Sequence, residues 1–296
     1  METTHHINGE TCETCGLCAE VCPNRILEAE KGTVPTFLQD RLGLCVTCGH
    51  CMAVCPTRSI QVPGLSYDKD FYDLPQGEPG TQGFFDLIAS RRAIRLYRKK
   101  PVPRDVLERI VQAVSLAPMG FPPHKCEVTV VETREAIERG LPHMVSFYED
   151  LERWMTQRIS RFFMKRRMSE ETFSTLENHV VPEIRLLLPA MKREEIDLIA
   201  RGAPALFLFH AGRRSENHSE DALIALTYAF LAAHALGLGA TPISLIPPAV
   251  ERVPALRELF RIPDGNEIVA SMIAGYPRVR FKRGIRRELA GVTYVA

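Results

Sequence analysis

The sequence lacks any apolar run long enough to cross a lipid bilayer, and its formal net charge at pH 7 is only +1. Its most apolar stretch, ALIALTYAFLAAHAL, covers residues 222 to 236 and is shorter than the roughly 20 residues that a transmembrane helix needs. We therefore expect no membrane association. We also expect no nucleic acid as a partner, because the chain lacks the strong basic bias of a nucleic-acid-binding protein.

Several catalytic signatures are also missing. Neither Gly-x-Ser-x-Gly nor His-Glu-x-x-His occurs, so hydrolysis has no support in the sequence. Gly237-Leu238-Gly239 lacks the third glycine of a dinucleotide-binding fingerprint and follows an expected helix rather than a strand. The chain therefore has no Rossmann signal, although this absence does not exclude a nicotinamide donor.

What the chain does contain is one cysteine pattern written twice. Cys-x-x-Cys-x-x-Cys-x-x-x-Cys-Pro begins at Cys12 and again at Cys45. This is the run of two-cluster bacterial ferredoxins, in which three close thiolates hold one cluster and the fourth holds the other. The pattern predicts two 4Fe–4S clusters as cofactors. One ligand set is Cys12, Cys15, Cys18 and Cys55, and the other is Cys45, Cys48, Cys51 and Cys22.

Disulfides and structural zinc are the alternatives for these eight cysteines. Secreted disulfide frameworks are usually short, and no apolar targeting segment precedes Cys12. Zinc normally takes pairs of cysteines separated by a longer loop, which fits this spacing poorly. Because cluster assembly needs reduced thiols, we expect a cytoplasmic location. Cys126 stands outside both runs, and a lone cysteine is more often a small buried hydrophobe than a nucleophile.

The length of the chain and a segment rich in proline and glycine indicate two domains. The 296 residues, 45% of them hydrophobic, suffice for a ferredoxin-sized unit and a larger body. We expect a two-cluster ferredoxin domain over residues 1–65. A Pro- and Gly-rich linker that resists helix and strand follows over 66–83, and the body covers 84–296.

Hydrophobic periodicity predicts the elements of the body. Helices are expected over 84–91 and 103–117, through 144–199 with breaks near Pro182 and Pro189, and over 222–236 with Ser219 or Asp221 as its cap. Strands are expected over 127–131, 205–210 and 267–273, and strand-like alternation over 291–296. Overall, the pattern is typical of an α+β chain, with a small cluster domain followed by a three-layer α/β/α body.

Four stretches of the body, in order, resemble the nitroreductase family of FMN enzymes. Arg91-Arg92-Ala93-Ile94-Arg95 matches the family's phosphate-binding run, and Ala117-Pro118-Met119 matches its Ala/Ser-Pro-Ser run. The apolar stretch ending at Gly239 resembles the family's core helix, and Gly275-Tyr276-Pro277 its last strand turn. The resemblance implies FMN as a cofactor and a three-layer fold. It implies these flavin-binding residues: Arg91, Arg92, Ala93, Arg95, Pro118, Met119, Gly120, Pro242, Ile243 and Ser244.

The basic residues support a phosphate site on chemical grounds. The FMN phosphate is a dianion, and clustered guanidinium groups bind such an anion through charge-assisted hydrogen bonds. One basic cluster is Arg91, Arg92 and Arg95. The second is Arg278, Arg280, Lys282, Arg283, Arg286 and Arg287, from which we select Arg283 and Arg286. The alternative for this second cluster is a solvated face or a surface for an acidic partner.

Two departures from the family pattern predict a reshaped pocket. Ala93 stands where the family usually has serine, which removes one hydroxyl donor. Pro122-Pro123-His124-Lys125-Cys126 replaces a segment that usually carries a flavin-contacting asparagine. His124 or Lys125 is a candidate replacement donor.

Taken together, the resemblance and the cysteines imply an FMN-dependent oxidoreductase. Electrons would pass through the two clusters to FMN and on to a small conjugated acceptor such as a nitroaromatic or a quinone. The family implies a homodimer. The external donor would be a ferredoxin or flavodoxin, with NAD(P)H as the alternative. Two other classes stay open: an electron-transfer subunit of a larger complex, and a redox sensor, neither with turnover of its own.

Overall fold

The computed structural model describes residues 4–74, 80–120, 126–286 and 288–295. These residues form two compact units. The first contains residues 4–74 together with Met119 and Gly120, and the second contains the other described residues from Gly80 onward.

The first unit consists of two small antiparallel ribbons and short helices. Strand β1 (His6–Ile7) pairs with β4 (Ile60–Gln61), and β2 (Leu27–Glu28) pairs with β3 (Thr36–Phe37). The helices are α1 (Leu17–Glu20), α2 (His50–Ala53) and α3 (Tyr67–Asp70), with a 3-10 helix over Gln39–Leu44. Its small core includes Cys18, Cys51 and Met52, so two predicted ligands are part of the packing.

The second unit is built on a four-stranded antiparallel sheet. Its strands are β5 (Cys126–Val131), β6 (Ala205–Gly212), β7 (Gly239–Pro242) and β8 (Asn266–Gly275), in the order β5-β6-β8-β7. The helices are α4 (Thr81–Ser90), α5 (Arg104–Ser115), α6 (Arg134–Thr156), α7 (Arg158–Arg167), α8 (Glu170–Thr175), α9 (Val181–Lys192), α10 (His218–Ala235), α11 (Ile246–Arg252) and α12 (Pro254–Leu259). A π-helical turn, Leu176–Val180, joins α8 to α9.

Two hydrophobic cores flank this sheet, which confirms the three-layer architecture. One core joins the sheet to α6, α9 and α11 through residues such as Met144, Ile184 and Ile246. The other joins it to α5 and α10 through residues such as Ile110 and Ala229. Neighbouring residues of β6 divide between the cores: Leu206 and Leu208 belong to the first, and Phe207 and Phe209 to the second. Strand alternation explains this division, because successive side chains point to opposite faces.

Several predicted elements are confirmed. The strands expected over 127–131, 205–210 and 267–273 are β5, β6 and β8. The helices expected over 84–91, 103–117 and 222–236 are α4, α5 and α10, with α4 beginning earlier, at Thr81. Gly237, with φ of 77°, ends α10 as expected from a left-handed C-terminal glycine.

Other predictions about helices are wrong. Helix α10 begins after Asn217, which is left-handed and makes no side-chain cap, rather than with a cap from Ser219 or Asp221. Helix α6 begins at Arg134, ten residues before the predicted start at Met144, and it contains Pro142. Proline normally breaks a helix interior. Here burial of flanking residues such as Ile137 and Met144 holds the helix together. Pro189 likewise lies inside α9, whereas Pro182 lies at its start.

Two further expectations differ from the structure. Part of the expected linker, 66–83, is helical: α3 occupies Tyr67–Asp70, and the Ser66 N–H donates to Asp70 Oδ2 at 2.7 Å. Tyr67 and Phe71 pack on the core of the first unit, so that unit continues past residue 65. The described residues 288–295 form no strand, and Tyr294 is 93% exposed.

No helix among the described residues is both long enough and apolar enough to span a bilayer.

Candidate cofactor sites

Two small cavities in the first unit are each walled by four of the predicted ligand cysteines. Each has a volume of about 20 Å³, so they are equal in size. One is lined by Cys12, Cys15, Cys18 and Cys55. The other is lined by Cys22, Cys45, Cys48 and Cys51. In each cavity, three cysteines come from one half of the repeat and the fourth comes from the other half.

The two halves of the repeat share one backbone conformation around these cysteines. Gly16 and Gly49 both have φ of 75°, and each directly precedes the short helix of its half. Thr14 and Thr47 are left-handed too, with φ of 52° and 54°. Left-handed residues turn the chain sharply. These turns direct successive cysteines toward the same cavity in both halves.

The buried thiols need added positive charge before they ionise. Burial raises the pKa of Cys51 to about 12, and interactions with Cys48, Cys22 and Cys45 add to the rise. Burial likewise raises the pKa of Cys18. Since the thiolate is the form that binds metal, four thiolates share one cavity only when iron compensates their charge.

The spacing of these cysteines in the sequence favours a cluster over a single zinc ion. Within the described ranges, no group of three or more His, Cys, Asp or Glu side chains is placed to hold one ion. A zinc site brings its thiolates to about 2.3 Å from one centre. The irons of a 4Fe–4S cube stand at four corners, so its thiolates lie farther apart.

In the second unit, the residues from Arg91 to Arg98 lie between β7 and the chain that follows β8. The Ile94 N–H donates to the Ala240 carbonyl at 3.0 Å, and Ala93 forms a parallel bridge with Ala240. On the other side, the Arg278 N–H donates to the Leu96 carbonyl at 2.9 Å. These bonds bring the two basic clusters predicted from the sequence next to each other.

Arg92 supplies a buried polar group that fits an anion. Its Nη1 donates to the Arg91 carbonyl at 2.5 Å, while its buried Nε has no hydrogen-bond partner among the described residues. A Cβ placed on Gly284 would lie 2.5 Å from Arg92 Nη2, so a larger residue there would require this guanidinium to move. A buried donor without a partner is costly unless a ligand satisfies it. The FMN phosphate fits this position in charge and in hydrogen-bonding capacity.

The end of helix α10 adds two residues to the same region. The guanidinium carbon of Arg91 lies 4.5 Å from the ring centroid of Phe230, a cation–π contact. His234 Nε2 lies 2.9 Å from Ser90 Oγ. Burial lowers the pKa of His234, and the charges of Arg91 and Arg92 lower it further. This region is therefore electropositive, and an anion would relieve the repulsion.

The predicted flavin-ring segment follows β7 and lines an open cavity. Pro242, Ile243 and Ser244 border this cavity, whose volume is about 540 Å³. Two hydrogen bonds hold the segment: the Ile243 N–H donates to the Ser271 carbonyl at 3.0 Å, and Ser271 Oγ donates to the Ile243 carbonyl at 2.6 Å. From Ala240 to Ser244 an extended chain spans at most about 13 Å. The phosphate region and this cavity are thus close enough for one flavin nucleotide.

Ser244 also borders a second, larger cavity of about 990 Å³. Helices α6, α7, α8 and α11 surround it, and most of its lining residues are apolar. The aromatic lining residues are Phe147, Tyr148, Trp154 and Phe163. Its two charged lining residues, Arg167 and Arg252, are both cationic. A large, mostly apolar cavity with a few polar groups is typical of a small-molecule site.

Some predicted site residues are placed elsewhere or remain without a described role. Pro118 is exposed, and Met119 and Gly120 belong to the first unit rather than to the second. The side chains of Arg95, Arg283 and Arg286 are exposed. His124 and Lys125, the candidate replacement donors, and Arg287 lie outside the described residues. Burial raises the pKa of the Cys126 thiol to about 11, so this cysteine is not an activated nucleophile.

Sequence reasoning missed Phe230, His234 and Gly284 at the phosphate region, and the aromatic lining of the larger cavity. A spacing signal existed for the first two, because Phe230 and His234 are one helical turn apart. Gly284 carried no signal, since its importance comes from the position of Arg92 in three dimensions.

The nitroreductase family model matches residues 88–276, and a 4Fe-4S dicluster domain matches residues 11–60. A Bacteroides fragilis nitroreductase with bound FMN is 18% identical, with a TM-score of 0.51 over 72% of this chain and 97% of its own. A Desulfitobacterium hafniense nitroreductase with bound FMN is 17% identical, with a TM-score of 0.52 over the same shares. No protein of curated function matches the chain.

The structural likeness supports the fold, and the match of the family model covers more than half of the 296 residues. The cofactors are FMN in the second unit and 4Fe–4S clusters in the first. This chain belongs to the nitroreductase family of flavin oxidoreductases and carries an N-terminal 4Fe–4S dicluster domain.

Proposed function

We propose that this protein takes electrons one at a time from an external donor through two 4Fe–4S clusters to FMN, and then reduces a small conjugated acceptor. FMN, when bound, supplies the exchange between one-electron and two-electron chemistry. The chain's own residues hold the cofactors and shape the acceptor cavity.

The proposal assigns one crossed set of ligands to each cluster. Cys12, Cys15, Cys18 and Cys55 hold the first cluster, and Cys22, Cys45, Cys48 and Cys51 hold the second. The support is the pair of cysteine-lined cavities, each with three ligands from one half and one from the other.

The proposed reaction rests on the position of Ser244, which borders two cavities. One is the cavity of about 540 Å³ beside the predicted flavin segment, and the other is the larger cavity lined by aromatic residues. In this arrangement the first cavity would hold the flavin ring, and an acceptor in the second cavity would lie next to it.

The lining of the larger cavity indicates the class of acceptor. Phe163 and Trp154 offer flat apolar surfaces, against which a conjugated ring packs favourably. Arg167 and Arg252 favour an acceptor with electron-rich oxygens, because they provide charge-assisted hydrogen bonds. A nitroaromatic or a quinone meets both requirements.

The donor in this proposal is a reduced ferredoxin or flavodoxin, with NAD(P)H as the alternative. The clusters make a nicotinamide donor unnecessary, because low-potential centres of this kind can reduce a flavin. Reduced thiols and a soluble donor favour the cytoplasm as the location.

The proposal includes a homodimer formed through the second unit. Phe84 and Phe85 on α4 are each 55% exposed, and Leu223 on α10 is 51% exposed. Helix α10 is apolar on most of its surface, yet Leu223 and Tyr228 do not pack into either core. A second copy of the chain would bury this apolar surface. Light scattering is expected to show a dimer.

Anaerobic mixing with separate donors tests the proposed route. Reduced ferredoxin, NADH and NADPH are each mixed with the purified protein while the visible flavin absorption is followed. Fast bleaching by ferredoxin alone, reversed by a nitroaromatic, is the expected result. Bleaching by NAD(P)H at an equal or greater rate would reverse the proposed route. It would make the flavin the entry point and the clusters an exit.

Substitutions in the larger cavity test the acceptor site separately. Trp154→Ala and Phe163→Ala are expected to raise the KM for the acceptor severalfold while FMN content stays unchanged, because neither residue borders the flavin cavity. Leu186→Ala is the matched control, since Leu186 is 77% exposed and lies outside this cavity. Equal KM values in all three variants would place the acceptor elsewhere.

Two other functions remain as defined alternatives. An electron-transfer subunit would show stable copurifying subunits and no acceptor turnover. A redox sensor would show slow turnover with reversible loss of its clusters. The large open cavity beside Ser244 favours the enzyme over both, because neither alternative requires a site for a small molecule.

A further inference from the structure

The two cluster cavities differ in their hydrogen bonds to sulfur, although their backbones match. In the first half, the fourth cysteine, Cys22, is followed by Pro-Asn-Arg-Ile. In the second half, Cys55 is followed by Pro-Thr-Arg-Ser. The repeat therefore pairs Asn24 with Thr57, and Ile26 with Ser59. Arg25 and Arg58 have similar φ values of 50° and 54°, so the change is in side chains and not in the turn.

Cys55 receives donors that Cys22 does not. The Ser59 N–H lies 3.3 Å from Cys55 Sγ, and Thr57 Oγ1 lies 3.7 Å from the same sulfur. No hydrogen bond to Cys22 Sγ occurs among the described residues. Asn24 instead turns its amide away and donates to the Leu44 carbonyl at 2.6 Å.

A chain of three hydroxyl groups stands behind Cys55. Thr57 Oγ1 lies 2.6 Å from Ser59 Oγ, which lies 2.8 Å from Thr11 Oγ1. Ser59, the middle residue, is only 5% exposed, whereas Thr57 is partly buried and Thr11 is exposed. A cluster-bound thiolate can only accept, so Thr57 donates to the sulfur and Ser59 donates to Thr57. The Thr11 hydroxyl then donates to Ser59 at 2.8 Å in preference to the Asn8 carbonyl, which lies farther away at 3.4 Å. Hydrogen bonds aligned in this way strengthen one another.

We infer that Thr11, Thr57 and Ser59 raise the reduction potential of the cluster held by Cys12, Cys15, Cys18 and Cys55 above that of its partner. Reduction adds negative charge to a cluster, and donors to its sulfurs stabilise that charge. This inference rests on the proposed crossed ligand sets. The two clusters are therefore reduced in a fixed order. The first electron to enter resides on the cluster that Cys55 binds, and the other cluster is the stronger reductant.

One nearby charge acts in the opposite direction. Glu13 lines the same cavity as Cys55, whereas the corresponding residue of the other half, Val46, is apolar. A carboxylate disfavours reduction of a neighbouring cluster. Glu13 is exposed, so water and salt screen its charge. The Thr57 hydroxyl and the Ser59 N–H contact the ligand sulfur directly, and the group behind them, Ser59 Oγ, is buried, so their effect is the larger one.

The inference is tested by exchanging side chains between the two arms, which are the segments 23–26 after Cys22 and 56–59 after Cys55. Redox titrations of the full-length holoprotein are followed by electron paramagnetic resonance, with iron content and flavin content measured for each variant. The wild type is expected to show two separate midpoints. Thr57→Asn combined with Ser59→Ile gives the second arm the side chains of the first, and is expected to lower the upper midpoint toward the lower one. Asn24→Thr combined with Ile26→Ser is expected to raise the lower midpoint.

If a double substitution causes loss of the cluster, single substitutions that disturb the structure less still test the inference. Thr57→Val and Ser59→Ala remove single hydroxyls while the backbone N–H of Ser59 remains. Each is expected to lower only the upper midpoint, and Thr33→Val, at an exposed position in the same unit, is expected to change neither. Two full clusters with midpoints that none of these variants shifts would overturn the inference, and so would a shift of the lower midpoint in Thr57→Val. Loss of iron in the wild-type preparation would instead refute the ligand assignment.

Discussion

The guanidinium of Arg92 occupies the space that a side chain at Gly284 would take. A Cβ on Gly284 would stand 2.5 Å from Arg92 Nη2. The two residues come from basic segments far apart in the sequence, and the hydrogen bond between the Arg278 N–H and the Leu96 carbonyl brings those segments together. Because Arg92 also carries a buried Nε without a described partner, we propose that the FMN phosphate binds at this contact.

Gly284→Ala should therefore weaken FMN binding. The added methyl group pushes the Arg92 guanidinium out of position, and the loss of a charge-assisted bond raises the FMN dissociation constant by about tenfold or more. Flavin fluorescence titration of the apoprotein measures this change. Gly291→Ala is the control, because nothing lies within 4 Å of a Cβ at that position. Equal affinities for the two variants would mean that Arg92 does not hold the phosphate.

The pKa of His234 should rise when FMN binds. Burial lowers this pKa in the absence of an anion, and Arg91 and Arg92 lower it further. A phosphate dianion beside the two guanidinium groups offsets their charge, so the imidazole protonates more readily. NMR titration of the apoprotein and of the FMN complex measures the shift, with His210 as an internal reference. A lower or unchanged pKa of His234 in the complex would place the phosphate elsewhere.

Acid should destabilise the fold through His210, which is 2% exposed in β6. Its Nδ1 lies 2.9 Å from the Asn266 amide nitrogen and its Nε2 lies 3.0 Å from Thr129 Oγ1. The amide can only donate, so Nδ1 accepts and Nε2–H donates to the threonine, which makes the ring neutral. Burial lowers the pKa of His210, and Arg257 lowers it further, while Glu127 acts in the opposite direction.

The sign of the pH dependence follows from that direction. The unfolded chain binds a proton near pH 6.5 and the folded chain only at lower pH, so the free energy of unfolding decreases as pH falls below about 6.5. Denaturant titrations at several pH values should show a smaller decrease for His210→Gln than for the wild type. His143→Gln, at an exposed position, should follow the wild type. A parallel decrease in all three proteins would exclude His210 as the cause.

Gly239→Ala should disturb both stability and flavin binding. A Cβ at Gly239 would lie 2.6 Å from Ile94 Cβ, at the point where the phosphate-binding segment packs against β7. Overpacking of this kind typically costs about 1–3 kcal/mol of the free energy of unfolding. Gly212→Ala is the matched control in the same sheet, because its nearest neighbour would lie at an ordinary 3.6 Å. Thermal unfolding and FMN content of both variants test the difference.

The cysteine repeat and the hydrophobic periodicities predicted much of the fold. Most of the elements that were missed depend on contacts with residues distant in the sequence. Strand β7 was missed because its sequence, Gly-Ala-Thr-Pro, has little strand preference, and pairing with β8 creates it. The start of α6 was missed because Pro142 normally breaks a helix, and core packing on both sides of it overrides that preference.

Prediction of the sites divides in the same way. The cysteines follow a local spacing, so their two cavities contain all eight predicted ligands. Pro242 was reached only through the family resemblance, whereas Arg92 was also supported by the basic cluster to which it belongs. Gly284 and Ser59 were missed because each matters through a neighbour distant in sequence: Arg92 for Gly284, and Thr11 for Ser59.

The central claim is that electrons reach FMN through the clusters, and a cluster-free variant tests it most directly. Cys15→Ser combined with Cys48→Ser removes one thiolate from each proposed ligand set. The variant and the wild type, matched for FMN content, are mixed anaerobically with reduced ferredoxin while flavin absorption is recorded. The account predicts fast bleaching in the wild type and none on the same timescale in the variant, although dithionite reduces the flavin in both. Equal bleaching rates with ferredoxin would contradict the account, because the flavin would then accept electrons without the clusters.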